Sequence, residues 1–516
     1  MHRSVAAIVA VAALSAFVGV AAPAAAQSCD SLKSFALPGL ALVITKTEEL
    51  AAAPPPVLPY TPPFEGTLPA RCLVTGVIEK RVGNLGKPYG IEFSVALPDK
   101  WNGRFLFQGG GGLNGTLFPP LGFYAASHEL EIEHGFAVVS TDSGHKGEVF
   151  DGSFFQDQEA TINFLYRAND KVTQVAKAII AARYGRAPDH SYFVGCSTGG
   201  REGMMMSQRF PDYFDGIVAA APAMRTSYSG IGDRYVTVQL NAIAPRDDKG
   251  KPATSRALSE GDRALVIQSL LQACDANDGA ADGMIFDVEH CGFDPMMLVC
   301  KGAKTDTCLS AEQARAISVG FAGPKDSRGE HVYTGFWYDT GIANTRGLPG
   351  LLVGAAPFLP EDRTSMDVDH EAALAATPIA MVGDTASWTS LSAFSSRGGK
   401  LLFVHGVSDQ WFSAQDTTRY YRQLTADNGG AAAVMKWSRH FLVPGMGHCA
   451  GGEQALDHFD LLAALVNWVE KGVAPDSIIA TGAAFPGRSR PLCPYPQHAQ
   501  YKGVGDMQKA ENFECR

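Results

Sequence analysis

Ser197, Asp409 and His448 stand far apart in the chain, yet their types and order suit nucleophilic acyl transfer. A serine hydroxyl attacks a carbonyl only when a base removes its proton. The base in turn needs a carboxylate to fix its tautomer and stabilise the imidazolium. Ser197 lies in Gly195-Cys196-Ser197-Thr198-Gly199, a match to G-x-S-x-G, the sharp strand-to-helix turn that exposes a serine oxygen. Alone, that motif also fits an ordinary serine in a Gly-rich turn; the downstream order serine, aspartate, histidine favours chemistry. Of the 13 histidines, His405 is the nearest rival base, but it shares a loop with Asp409, so His448 is preferred. Acyl transfer also needs N–H donors for a developing oxyanion. Thr198, just after the serine, and Gly110 or Gly111 in the run Gly109 to Gly112 are the candidates, because glycine lets backbone approach closely. A flexible surface loop or a phosphate cradle is the alternative there; no lysine follows to serve a phosphate.

Each candidate follows a strand-like run. His190 to Val194 (HSYFV) precedes the serine turn, and Gly200 to Phe210 offers helix formers with a Met-rich face. Leu401 to Val404 leads into the Asp409 loop, Phe441 to Val443 into the His448 loop, and Arg104 to Gln108 into the four glycines. Phe136 to Ser140 and Gly216 to Ala220 read as further strands, and Asn169 to Tyr184 as a helix with Val172, Val175, Ala176 and Ile179 on one side. Strands alternating with helices predict a parallel sheet covered on both faces. Upstream, CLVTGVIEKRVG and YGIEFSVALP predict an antiparallel hairpin, and the Pro- and Ala-rich residues 29–70 an extended arm. A C-terminal helix, about Ala455 to Lys471, carries Leu461, Leu462, Leu465 and Trp468 on one face. Between Ala223 and Ser395 the strand–helix rhythm stops, the pattern of a long insertion.

Cys196 precedes Ser197 and Cys449 follows His448. If serine and histidine come within hydrogen-bond reach, these cysteines come together too, and a disulfide would staple the two loops. Two buried thiols are the alternative. Arg3, an apolar Ala/Val/Leu/Phe stretch and Ala24-Ala25-Ala26 form a secretory leader, predicting a mature chain from Gln27 and an exported, secreted or periplasmic protein. Ten cysteines behind such a leader imply disulfides, although spacing leaves the pairing open.

The arrangement Cys196-Ser197, Asp409, His448-Cys449 resembles the tannase and feruloyl esterase family, which includes mono(2-hydroxyethyl) terephthalate hydrolases. The likeness extends to the insertion and the peripheral cysteines, so it spans nearly the whole mature chain. It implies an α/β-hydrolase fold with a large inserted lid: a catalytic domain of residues 27–222 and 396–516, and a lid of residues 223–395. It implies the pairs Cys29–Cys72, Cys196–Cys449, Cys274–Cys291, Cys300–Cys308 and Cys493–Cys515. It also implies hydrolysis of feruloyl, galloyl or terephthaloyl esters through an acyl-enzyme.

Residues 275–283 pack Asp275, Asp278, Asp282 and two glycines into one tight segment, outside the EF-hand register. An acidic turn without metal is one reading. The resemblance implies a structural calcium loop holding Ca²⁺ with the side chains of Asp275, Asp278 and Asp282 and the carbonyls of Ala280 and Met284. For substrate contacts, Trp411 and Phe412 follow the candidate acid. Phe336, Trp337 and Tyr338 fit either a stacking platform or core. Arg346 stands where the resemblance would put a carboxylate-binding arginine, but TRGLPGLLVG departs from that pattern, and an exposed arginine is the alternative.

With 46% hydrophobic and 19% charged residues, the composition is that of a globular protein. A net charge of −10 without basic clusters disfavours nucleic acid and anionic membrane as partners. After the leader no segment reaches the length of a membrane span. A small aromatic ester remains as the expected partner, with calcium as the expected inorganic group and no organic cofactor. Two rival functions share these features: a serine peptidase on the same fold, and a non-catalytic, calcium-dependent ligand-binding protein.

Overall fold

The computed structural model describes residues 26–57, 64–122, 127, 129–354 and 360–516. Residues 1–25, the leader but for its last residue, Ala26, lie outside them. Nine strands form one sheet: β1 (Leu42–Leu50), β2 (Arg71–Val82), β3 (Pro88–Pro98), β4 (Arg104–Gln108), β5 (Ala137–Thr141), β6 (His190–Cys196), β7 (Gly216–Ala220), β8 (Lys400–Gly406) and β9 (Ser438–Val443). Their order is β1-β2-β3-β5-β4-β6-β7-β8-β9. β1 to β3 and β5 pair antiparallel; from β5 across to β9 all pairs are parallel. The parallel strands are short and buried on both faces, β5 and β7 at every residue, which is why they read as unbroken apolar runs. β2 instead alternates half-buried and buried positions.

The expected N-terminal arm is in part a strand. Leu42–Leu50 (LVITKTEEL) adds to the sheet edge as β1, with Ile44 in the core. Its β-branched residues outweigh the Pro-rich flanks that suggested an arm, and Cys29–Cys72 ties the segment before it to β2.

Helices cover both faces. α1 (Ala168–Tyr184) buries Val172, Val175, Ala176 and Ile179. α2 (Thr198–Arg209) springs from the end of β6. Residues 221–399 leave the sheet between neighbours β7 and β8. They carry α3 (Thr226–Ile243), α4 (Glu260–Cys274) and α5 (Ala311–Ala322), the last two opened by the capping boxes Ser259/Asp262 and Ser310/Gln313, each such cap contributing about 1 kcal/mol. The insertion has its own core of Val236, Leu240, Val266, Leu270, Ile317, Phe321 and Tyr333. Met224, Leu391 and Phe394, near its two ends, pack instead with the sheet. Beyond β8, α6 (Ala414–Asp427) follows the Asp409 loop. α7 (Leu461–Lys471) buries Leu461, Leu462, Leu465 and Trp468 against the sheet, and Arg104 grips its Glu470 through two 2.7 Å bonds.

Five disulfides join Cys29–Cys72, Cys196–Cys449, Cys274–Cys291, Cys300–Cys308 and Cys493–Cys515, the pairing the resemblance implies. Among the described residues no helix is long and apolar enough to cross a membrane.

Candidate active site

Ser197 sits at the junction of β6 and α2 with φ 64° and ψ −123°, a conformation that strains any residue bearing a Cβ. Three backbone bonds hold it there. Its N–H donates to Ala220 O at 3.0 Å, and its carbonyl accepts from Arg201 N at 3.0 Å and Ala223 N at 3.1 Å. The turn is this sharp because glycines pass each other closely: a Cβ on Gly195 would lie 2.6 Å from the Gly199 backbone, and one on Gly199 2.7 Å from Gly110 O. G-x-S-x-G is thus a packing requirement as much as a motif.

The four-glycine loop lies against this turn. Gly109 N–H donates to Val194 O at 2.8 Å, Leu113 N–H to Val149 O at 2.8 Å, and the Thr198 hydroxyl to Gly112 O. Gly110 N–H donates to Glu202 Oε2 at 2.9 Å. The expected choice of Gly110 or Gly111 as oxyanion donor therefore narrows: the Gly110 amide is already committed. Among the described residues the amides of Thr198 and Gly111 have no acceptor.

His448, on the loop after β9, presents Nδ1 to Asp409 Oδ2 at 2.7 Å. Asp409 is held from other sides as well: Oδ1 takes the amides of Trp411 at 2.9 Å and Phe412 at 3.0 Å, and His405 Nε2 lies 3.2 Å from Oδ2. Burial alone would raise the Asp409 carboxyl, but the two imidazoles outweigh it and hold the group well below the usual carboxylate range. With Nδ1–H given to Asp409, His448 keeps Nε2 as its basic atom. His405 is no rival. It is fully buried, its Nδ1 meets Thr417 Oγ1 at 2.9 Å and its Nε2 meets Phe412 O at 2.8 Å, so both nitrogens are used. The Cys196–Cys449 bond, with Cα atoms 5.9 Å apart, brings the Ser197 and His448 loops side by side.

A strained serine, a carboxylate-held histidine and amides without acceptors are the parts of an acyl-transfer site. The family model "Tannase and feruloyl esterase" matches residues 72–351 and 356–516. The chain belongs to this family. It is 40% identical to the mono(2-hydroxyethyl) terephthalate hydrolase of Piscinibacter sakaiensis, over 87% of this chain and 85% of that one. It is 30% identical to a probable feruloyl esterase B-2 of Aspergillus terreus, over 82% and 83%. Feruloyl esterase B from Aspergillus oryzae superposes with a TM-score of 0.76 at 27% identity, covering 95% of this chain and 99% of that one. This tannase-family protein is accordingly a carboxylic ester hydrolase on an α/β-hydrolase fold.

Aromatic rings frame the histidine of this esterase. Trp411 lies 4.7 Å and Phe412 5.2 Å from the His448 ring, centroid to centroid, and Phe150 stands edge-on to Trp411 at 6.0 Å. At two other places the sequence left alternatives open, and the structure agrees with the plainer one. Phe336 is buried in the insertion's core, with Trp337 and Tyr338 packed beside it and Tyr338 stacked on Phe321 at 4.8 Å, so the triplet is core and no platform. Arg346 has a side chain 80% exposed and pairs with Glu453 at 3.4 Å, the geometry of a surface arginine rather than a substrate ligand.

Asp339 escaped sequence reading altogether. This buried insertion carboxylate accepts from Ser408 Oγ at 2.7 Å and Gly445 N at 2.6 Å, clamping the loops of Asp409 and His448 to each other. Its only sequence signal was an acid directly after the apolar run Phe336-Trp337-Tyr338.

In the acidic segment, Asp275 accepts the amides of Asp282, Gly283 and Met284, Asp278 those of Ala280 and Phe286, and Asp282 meets the buried Arg490. Among the described residues no three acidic or imidazole groups converge as a metal cage. The donor chemistry nonetheless suits a hard cation. Burial and the charges of Asp282 and Asp275 push Asp278 up to about 7, and the two arginines of this segment, Arg490 and Arg488, face three carboxylates.

Proposed function

We propose that this chain is an exported serine carboxylesterase that hydrolyses esters of aromatic acids of the feruloyl, galloyl or terephthaloyl type. One observation carries the reading: the strained Ser197 is stapled through Cys196–Cys449 to the loop of His448, whose Nδ1 is held by Asp409. His448 Nε2 takes the Ser197 proton as Oγ attacks the ester carbonyl. The tetrahedral oxyanion is held by the amides of Thr198 and Gly111. His448 returns the proton to the leaving alcohol, and water, activated by the same nitrogen, cleaves the acyl-enzyme. The aromatic-acid class rests on the names of the relatives and on the rings of Trp411 and Phe412 beside His448.

The insertion acts as the lid over this site. Five disulfides suit an oxidising compartment, consistent with export. Asp275, Asp278 and Asp282, with the carbonyls of Ala280 and Met284, would hold a calcium ion, which supplies charge neutralisation in the insertion and takes no part in the ester chemistry.

The test is a hydrolysis panel with methyl ferulate, methyl gallate, mono(2-hydroxyethyl) terephthalate and a short p-nitrophenyl ester, run on the protein and on Ser197→Ala. Turnover of one aromatic ester, lost in the variant, is expected. Turnover of the activated ester alone would sink the aromatic assignment. A fluorophosphonate that fails to label the protein would leave a binding protein as the better reading, and faster cleavage of the matching anilide than of the ester a peptidase.

A further inference from the structure

We infer that Glu202 is a positioning residue for ester hydrolysis: from inside the protein it grips the four-glycine loop and aims the Gly111 amide at the oxyanion. The inference rests on the serine-esterase reading above and concerns a residue that never touches substrate. Glu202 lies on α2, five positions after Ser197, beside the buried Arg201 and ahead of the buried run Met204 to Met206. It is fully buried. Its Oε2 accepts Gly110 N–H at 2.9 Å and its Oε1 accepts Asn114 Nδ2 at 2.8 Å. Asn114 in turn gives its own N–H to Gly111 O at 3.0 Å. These bonds close a ring that fixes the 109–110 and 111–112 peptide units, either side of the unit carrying the Gly111 N–H, relative to α2 and therefore to Ser197.

The geometry leaves that loop little freedom. A Cβ on Gly110 would strike the Asn114 side chain, and Asn114 itself holds φ 52°, a left-handed conformation asparagine tolerates. The Thr198 hydroxyl ties Gly112 O from the other side. Nucleophile and oxyanion donor thus ride on one rigid unit. Rigidity of this kind matters because oxyanion donors act through preorganisation: they stabilise the transition state only if they already point at it. A structural brace alone would not need to be polar here. Burying a carboxyl is costly unless it is bonded, and its bonds go to the loop that carries the Gly111 amide.

The form of the acid is also legible. Burial raises the Glu202 carboxyl more than Gly110, Arg201, Asn114 and Asn169 lower it. The side-chain oxygens of Asn114 and Asn169 are buried without a donor, so a proton on Glu202 would find an acceptor once either amide turned over. Neutral glutamine can therefore reproduce the contacts: its oxygen takes Gly110 N–H and its amide faces Asn114 Oδ1.

The experiment compares Glu202→Ala, Glu202→Gln and Asn114→Ala with the unmodified protein. It measures kcat and KM on the best ester, phosphonylation rate by a fluorophosphonate, and affinity for the free product acid. The expected result is a loss of kcat on the order of 10²-fold in Glu202→Ala, matched by the phosphonylation rate, with KM and product affinity within threefold. Glu202→Gln should recover to within tenfold of the unmodified protein. Asn114→Ala, which keeps the carboxyl but opens the ring, should lose about tenfold and serves as the test if Glu202→Ala does not fold. A folded Glu202→Ala with kcat within threefold overturns the inference, as do equal losses in product affinity or a Glu202→Gln as impaired as Glu202→Ala. An unmodified protein that resists phosphonylation would instead overturn the serine-esterase reading itself.

Discussion

Removing the disulfide beside the nucleophile should damage catalysis out of proportion to stability. Cys196 and Cys449 are 253 positions apart, whereas Cys493 and Cys515 are 22 apart. In the chain-entropy model the longer closure stabilises the fold by about 5 kcal/mol and the shorter by about 3 kcal/mol, upper figures in both cases. On stability alone the two double-alanine variants should thus differ by about 2 kcal/mol, a few degrees in thermal midpoint for a chain of this length. Catalysis predicts a larger gap. The inner bridge joins the residues adjoining Ser197 and His448: Ser197 (φ 64°) stays held by its own backbone bonds, whereas the loop of His448 and Cys449 (φ 66°) loses its covalent tie to the nucleophile turn. A shift of about 1 Å between nucleophile and base costs on the order of 10²-fold in kcat. The assay is kcat on the best aromatic ester at 25 °C, with folded fraction measured in parallel by circular dichroism. Cys196→Ala/Cys449→Ala should lose 10²-fold per folded molecule, and Cys493→Ala/Cys515→Ala less than threefold. Equal losses per folded molecule would refute the reasoning, because the inner bridge would then be a stabiliser like any other.

Ser197→Gly should end hydrolysis yet raise stability by about 1 kcal/mol, since glycine adopts φ 64° without strain; a lower urea midpoint would contradict this. Asp409→Asn should cost about 10⁴-fold in kcat, because an amide N–H facing His448 Nδ1 favours the wrong tautomer; kinetics on the folded variant decide it. His440 is fully buried and burial pushes its imidazole down to about 3. As pH falls below the ordinary value of about 6.5, the unfolded chain takes up this proton and the folded chain does not, so stability is lost from 6.5 downward at about 1.4 kcal/mol per unit. His440→Gln should therefore lose about 2 kcal/mol less than the unmodified protein between pH 6.5 and pH 5, read from urea unfolding. Chelation with EDTA should lower the thermal midpoint and leave kcat at 25 °C within twofold, a midpoint change that Asp278→Asn should abolish; a collapse of kcat would make the metal more than structural.

The site's skeleton was legible because each candidate sits where a short apolar run meets glycine, and buried parallel strands write themselves as such runs. Ser197, Asp409 and His448 all fall on loops that leave the C-terminal ends of β6, β8 and β9. What escaped was everything set by long-range polar contact. Nothing in GREGMMM says that its glutamate reaches Gly110 rather than solvent, although a lone acid on a Met-rich helix is a fair signal of a satisfied buried group. Asp339 is separated from Ser408 and Gly445 by stretches no periodicity connects. Phe336, Trp337 and Tyr338 stayed open between platform and core, since an aromatic run has the same composition in a core as in a pocket. β1 was hidden by its proline-rich neighbours, because composition averaged over residues 29–70 dilutes a nine-residue strand.

The two buried carboxyls nearest the chemistry show how one environment serves opposite ends of a transition state. Asp409 and Glu202 are both withdrawn from water, so burial pushes both upward. Asp409 is answered by two imidazoles and ends low, a fixed negative charge beside the ring that must become positive. Glu202 is bonded mainly by amides, which cannot offset burial, and ends high. A permanent anion at Glu202 would lie behind Gly110 and oppose the negative charge growing on the substrate oxygen. A carboxyl held toward its neutral form keeps the hydrogen bonds that shape the loop and removes that opposition. Separating the protonation of paired acids by their surroundings is how a single fold runs acid and base chemistry at one pH; here the separation falls between the residue that supports the base and the residue that supports the oxyanion donor.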